Sequence, residues 1–338
     1  MPPLDPQLLG NEDVRAHLAR MSLEDRLHPC LLFEGPAGVG KAATAIWLAM
    51  LTNCEAEPDQ RPCGACWSCR QIPRGQHPDV VQVGLDPERT APIISVEQAR
   101  GVVGQLNLRP YNARRRFILI DPADALSTEA ANAFLKTFEE PPPATGFILI
   151  TAAASRLLPT VRSRTQRVRF GAIPVAQLAR WLADRGLSEP DLLARLAEGC
   201  PGRALTLGDG EAVALREARD ALLAVLSGPV SEQFAYAEAL VKGERAEWVP
   251  RAARAFELLT RLVADALRVD AGADPADLVS GPAAATWARA MGKPGLARVS
   301  TAIDLARRDL EGFINARLLV EALLAGITAE LGRAGRGT

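Results

Sequence analysis

The reactive groups of this sequence gather in two places about one helix apart. Gly35-Pro36-Ala37-Gly38-Val39-Gly40-Lys41 has the G-x4-G-K pattern of a loop that turns backbone N–H groups onto phosphate oxygens, its lysine adding charge toward the outer phosphates. The apolar run Cys30-Leu31-Leu32-Phe33 precedes it and a helical stretch from Ala42 to about Leu51 follows, which is the context such a loop requires. Then come Cys54, Cys63, Cys66 and Cys69, spaced C-x8-C-x2-C-x2-C. Two successive C-x2-C steps aim thiolates at one ion, and a thiolate from a preceding loop completes a tetrahedron. Structural zinc is expected there, with an iron–sulfur cluster or a coincidence of spacing as the alternatives. Four thiolates leave no open position for a catalytic water. Cys30 and Cys200 stand alone among apolar or small neighbours and are read as core residues.

The phosphate loop lacks two parts of a hydrolytic machine. After the lysine, an active site places a Ser or Thr hydroxyl on magnesium; here stands Ala42. Thr44 is no substitute, because two residues along a helix turn the side chain about 200° away. The run Phe117-Ile118-Leu119-Ile120 ends in Asp121-Pro122-Ala123-Asp124. Asp121 suits the metal-linked aspartate at a strand's carboxyl end. Pro122 occupies the position where many such ATPases carry a water-orienting glutamate, and proline cannot act as a base. Gly35, Gly38, Gly40, Lys41 and Asp121 are therefore expected to hold ATP or ADP, with hydrolysis weak or absent. Thr151, ending the run Phe147 to Ile150, is either a sensor of the outer phosphate or a plain strand terminus.

Positioning these groups requires a sheet. Short apolar runs at 30–33, 80–83, 117–120, 147–150 and 168–170 alternate with helical patterns, which predicts a parallel α/β sheet. From Pro174 the pattern is helical to the end. A small bundle runs from Val175 to about Leu207 and closes at Gly208-Asp209-Gly210. A longer block follows, whose last helix carries an apolar stripe of Leu310, Phe313, Ile314, Leu318, Leu324 and Ile327. The expected domains are 1–170, with the metal module at 54–69, then 171–212 and 213–338. With 39 basic and 40 acidic residues in 338, bulk charge does not grip nucleic acid. No charged and apolar leader opens the chain, and no apolar run approaches the roughly 18 residues of a membrane span. A cytoplasmic, membrane-free chain with reduced thiols is expected, which favours a metal over disulfides. Arg114-Arg115-Arg116 is read as a solvated loop, with a DNA phosphate contact as the alternative.

Ser127-Thr128-Glu129-Ala130-Ala131-Asn132-Ala133-Phe134-Leu135-Lys136-Thr137-Phe138-Glu139-Glu140-Pro141-Pro142 resembles the signature of bacterial DNA polymerase III clamp-loader subunits of the AAA+ class. Arg156-Leu157-Leu158-Pro159-Thr160-Val161-Arg162-Ser163-Arg164-Thr165 resembles the family's Ser-Arg-Cys segment, with Thr165 in place of the cysteine. Gly75-Gln76-His77-Pro78-Asp79 and Phe313-Ile314-Asn315-Ala316-Arg317-Leu318 extend the resemblance over nearly the whole chain. It implies an AAA+ P-loop domain with a zinc module, a small helical lid and an all-α collar. It also implies a place in a five-subunit ring with gamma/tau and delta subunits, which sets a sliding clamp on primer-template DNA. Arg164 matches the arginine finger that reaches a neighbour's ATP in trans, the reading without the family being a solvated strand edge. Arg203, in Pro201-Gly202-Arg203-Ala204, matches a second-sensor arginine, or is a surface residue beside a helix start. Within the family, gamma/tau motors keep the magnesium hydroxyl and the glutamate, and tau adds a long tail. A sequence without them resembles the delta-prime stators. An active motor and a zinc-containing P-loop kinase are the competing classes.

Overall fold

Each of the five apolar runs forms a strand in the computed structural model, which describes residues 8–86, 92–106, 109–310 and 315–333. The strands are β1 (Cys30–Glu34), β2 (Val80–Val83), β3 (Arg116–Ile120), β4 (Thr145–Thr151) and β5 (Gln166–Arg169). They make one five-stranded sheet in the order β2-β3-β4-β1-β5, every neighbouring pair parallel. Successive side chains of a strand face opposite ways, and here both faces are buried. Cys30, Leu32, Ile118, Ile120, Phe147 and Leu149 pack on one face with Ala99, Val102, Phe134 and Phe138. Those partners come from α4 (Val96–Gln105) and α5 (Thr128–Glu139). Leu31, Phe33, Phe117, Leu119, Ile148 and Ile150 pack on the other with Leu18, Ala45 and Leu48, from α1 (Glu12–Leu23) and α2 (Lys41–Asn53). A sheet covered on both sides needs continuous apolar runs, which is why these strands read as Cys-Leu-Leu-Phe and Phe-Ile-Leu-Ile rather than as alternating patterns. β5, an edge strand, is mostly exposed and correspondingly polar.

The short helices α3 (Trp67–Gln71) and α6 (Pro159–Arg162) join these elements. With α7 (Val175–Ala183) up to Leu182 and residues 197–206 they complete the first of two units; the second comprises 183–196 and 207 onward. The helical regime expected from Pro174 is present: among the described residues no strand follows β5. The second unit holds α8 (Pro190–Leu196), most of α9 (Pro201–Ser227), α10 (Val230–Leu240), α11 (Arg245–Asp270), α12 (Pro282–Leu310) and α13 (Ala316–Arg333). Gly208 breaks α9 with φ 61° and ψ 176°, at the glycine pair where the sequence closes its small bundle. The unit's core is built from Leu222, Phe256, Leu259, Leu262, Trp287, Val299, Ile303, Leu324 and Ile327.

One stripe is divided differently from the expectation. Leu310 ends α12 and Leu318 lies on α13, so they do not share a helix, and Leu318 is 61% exposed. A spacing of eight residues mimics two helical turns even when a break intervenes, and the pattern alone cannot see the break. Phe313 and Ile314 lie outside the described residues. Among the described residues no helix is long and apolar enough to cross a membrane.

Candidate functional site

The phosphate loop leaves the carboxyl end of β1, between β4 and β5. Strand register brings Glu34 beside both Thr151 and Arg169. Gly35, Gly38 and Gly40 take φ of 150°, 77° and 105°, values that side chains with a Cβ rarely adopt. Gly38 is doubly constrained. A Cβ there would come within 2.7 Å of the Arg203 backbone nitrogen, and its carbonyl accepts a hydrogen bond from Gly202 N–H at 2.8 Å. The start of α9 therefore rests against the loop, and the Arg203 backbone lies beside it. The Arg203 guanidinium turns toward Glu198, 3.5 Å away.

Lys41 is buried, and its ammonium donates to the carbonyls of Gly35 at 2.6 Å and Pro36 at 2.7 Å. Burial lowers its pKa against the opposing pull of Asp121, Cys200 and Asp124. Asp121 is exposed; desolvation by the surrounding protein raises its pKa, Lys41 pulls it back and Asp124 adds to the rise. Thr151, fully buried, donates its hydroxyl to Asp124 and accepts from Ala153 N–H at 2.9 Å. The loop, Lys41, Asp121, Thr151 and Arg203 thus cluster at the carboxyl edge of the sheet. Ala42 supplies no oxygen, and the Thr44 side chain is buried. Asp124 is a site residue that the sequence reading left unassigned, although it stands three positions after Asp121 on a single helical turn.

Glu34, the last residue before the loop, accepts from Arg167 Nε and Nη2 at 3.0 and 2.7 Å and from Arg169 Nε at 2.9 Å. Burial pushes its pKa up, but these two arginines outweigh that and hold the carboxyl below its ordinary value. Arg167 and Arg169 are thus not a free solvated edge. Arg164 is elsewhere: it bonds to Glu139, to the Thr160 carbonyl at 3.0 Å and to Ser163 Oγ at 3.2 Å. Its side chain is about one-third exposed (32%).

The four clustered cysteines are brought together. Their sulfurs all lie within 4.8 Å of one another, and an ion at about 2.3 Å from each of four tetrahedral sulfurs spaces them about 3.8 Å apart. Backbone N–H groups of Cys66 and Ala65 point at Cys63 Sγ from 3.3 and 3.4 Å. They bring its pKa down to about 6, the Cys66 bond contributing most. Cys54 and Cys66 sulfurs accept in the same way from Cys63 and Cys69 N–H. Four sulfurs this close, three of them accepting backbone N–H bonds, are a donor set that fits a bound metal ion. Trp67, between Cys66 and Cys69, packs against His77 with ring centroids 4.9 Å apart and planes tilted by 53°. Cys30 is fully buried with its thiol pushed up to about 12 by desolvation, and Cys200 is buried with its pKa raised in the same way.

His77-Pro78-Asp79 carries a structural role that the sequence did not reveal. Asp79, 1% exposed, accepts backbone N–H bonds from Tyr111, Asn112 and Ala113 at 2.9 to 3.1 Å and one from Arg116 at 3.2 Å. Arg116 is consequently buried, and Arg115 is tied to Asn53, Leu27 and Thr145. Of the arginine triplet, Arg114 alone is exposed.

A lysine-bearing glycine loop at the carboxyl end of an inner parallel strand, facing an aspartate from the next but one, defines a P-loop protein. Sequence comparisons narrow this. The family model described as "DNA polymerase III, delta subunit" matches residues 10–174. DNA polymerase III subunit tau of Escherichia coli K12 is 33% identical over 251 residues, covering 70% of this chain and 38% of that protein. DNA polymerase III subunit delta' of the same organism is 36% identical over 196 residues, covering 57% and 58%. The delta' subunit of Pseudomonas aeruginosa is 37% identical over 163 residues, covering 48% and 49%. The chain belongs to the DNA polymerase III clamp-loader family. It spans between 38% and 58% of the length of these relatives.

Proposed function

We propose that this chain is a delta-prime-type stator of a DNA polymerase III clamp loader, an AAA+ subunit whose own nucleotide site is weak and whose Arg164 acts in trans on a neighbour's ATP. The observation that carries the proposal is the contrast between two sites. Around Lys41, the helix offers Ala42 instead of a magnesium-binding hydroxyl and β3 is followed by Pro122 instead of a carboxylate. Arg164, by contrast, keeps a partly exposed guanidinium whose permanent charge suits phosphate oxygens. The loop, Asp121, Thr151 and Arg203 are retained for binding ATP or ADP. Cys54, Cys63, Cys66 and Cys69 hold one structural zinc. Residues 1–170 form the P-loop domain, 171–212 a lid and 213–338 a collar that joins gamma/tau and delta subunits. The sliding clamp and primer-template DNA are reached through the assembled ring. The test is reconstitution: Arg164→Ala should lower clamp- and DNA-stimulated ATP hydrolysis by the complex at least tenfold, a finger in trans being worth a large factor. Arg162→Ala should do much less. Equal effects from the two substitutions would return both to a solvated edge.

A gamma/tau-type motor is the second reading. It is favoured by the longer match to a tau subunit and by the retained Lys41, Asp121, Asp124 and Thr151 cluster. Turnover by the isolated chain, abolished by Lys41→Ala, would decide for it.

A further inference from the structure

Glu139 is the last residue of α5. A carboxylate at a helix C-terminus faces the unpaired carbonyls and gains nothing from the helix dipole. Its partner among the described residues is Arg164, whose Nε and Nη2 both donate to Glu139 Oε1, the Nε bond at 2.7 Å. Nη1 is directed to the Thr160 carbonyl and Ser163 Oγ. A guanidinium has five N–H donors, so one Nη2 N–H on its outer end stays uncommitted. Glu140, the next residue, is exposed and makes no ion pair with Arg164.

We infer that Glu139 is the positioning residue for Arg164. It fixes the Nε edge, removes the rotamer freedom of a long side chain and presents the outer guanidinium end to an anion from outside the chain. The inference rests on the trans-acting role of Arg164 proposed above. A free arginine side chain samples many rotamers, and an exposed ion pair restrains it only weakly. Glu139 is half exposed (49%) and Arg164 about one-third, so the pair belongs to this weak class. It is strong enough to aim the finger and too weak to withhold it from a phosphate.

The experiment uses the reconstituted loader with clamp and primed DNA, reading stimulated ATP hydrolysis, with thermal melts of every variant chain. Glu139→Ala should slow hydrolysis about two- to fivefold, the rate equivalent of that ion pair. Glu139→Gln, which keeps an acceptor oxygen for Nε but no charge, should stay within about twofold of wild type, and Glu140→Ala should match wild type. The double variant Glu139→Ala/Arg164→Ala should be no slower than Arg164→Ala alone, because a positioner acts only through what it positions. In the free chain, Arg164 Nε–H exchange with solvent should accelerate in Glu139→Ala and not in Glu140→Ala. A faster loader with both Glu139 variants would make Glu139 a competitor for the finger and overturn the inference. So would an unchanged Glu139→Ala beside a slow Arg164→Ala, which leaves the finger intact as a proposal. If Arg164→Ala itself has no effect, the finger fails first and the positioning role with it.

Discussion

Asp79→Asn should be among the costliest single-atom changes in the first unit. The carboxylate is 1% exposed and takes four hydrogen bonds, three from backbone N–H groups of residues 111–113 and one from Arg116. An asparagine can keep the Asn112 and Ala113 bonds on its remaining oxygen. Its amide then faces Tyr111 N–H and the Arg116 guanidinium, donor against donor. Hydrogen bonds to charged groups are worth about 1.5–3 kcal/mol each, and breaking a buried ion pair from one side costs about 3–5 kcal/mol. Arg116 retains bonds to the carbonyls of Gln105 and Arg109, which places the net loss near the low end, about 3 kcal/mol. For a unit of this size that is a fall of roughly 10 °C in melting temperature, at about 2–4 °C per kcal/mol. The pH dependence carries a sign. Burial raises the Asp79 pKa, but its four donors lower it further, so the folded value lies below the unfolded one. Its contribution is fully present above the unfolded pKa of about 3.9 and is lost as pH falls through the folded value. The gap between wild type and Asp79→Asn should therefore hold steady from pH 7 to about pH 4 and narrow below. Chemical denaturation of the full chain at several pH values measures it. A loss under about 1 kcal/mol at pH 7, or a gap that widens in acid, would refute the reasoning.

Gly38→Ala should cost about 2 kcal/mol or more, because the methyl group meets the Arg203 backbone nitrogen at 2.7 Å on top of the positive-φ strain. Gly40→Ala carries strain alone, since nothing lies within 4 Å of its Cβ position; comparative melts should rank Gly38→Ala as the worse. Cys66→Ser should drop bound zinc from one equivalent toward none by elemental analysis and destabilise the first unit, because structural zinc binding is folding free energy. A full complement of zinc in the variant, or none in reduced wild type, would remove Cys66 from the site.

The placement of the phosphate loop and of the cysteine cluster was legible in the sequence, because local pattern dictates local geometry. The G-x4-G-K loop follows a strand and opens a helix here as its pattern predicts, and the two C-x2-C steps turn backbone N–H groups of Cys66 and Cys69 toward the sulfurs of Cys63 and Cys66. The parallel sheet was likewise written in runs such as Phe117 to Ile120, since strands covered on both faces must be apolar throughout. Tertiary structure decided whatever depends on residues distant in sequence. Asp79 and the loop 111–113 are more than thirty positions apart, as are Gly38 and Gly202, and no local spacing marks either pair. The same holds for the arginines near β5. Arg164, Arg167 and Arg169 look alike in sequence, yet Arg167 and Arg169 close on Glu34 while Arg164 turns to Glu139. A charge finds its partner through the fold, and the chain records only that it carries the charge.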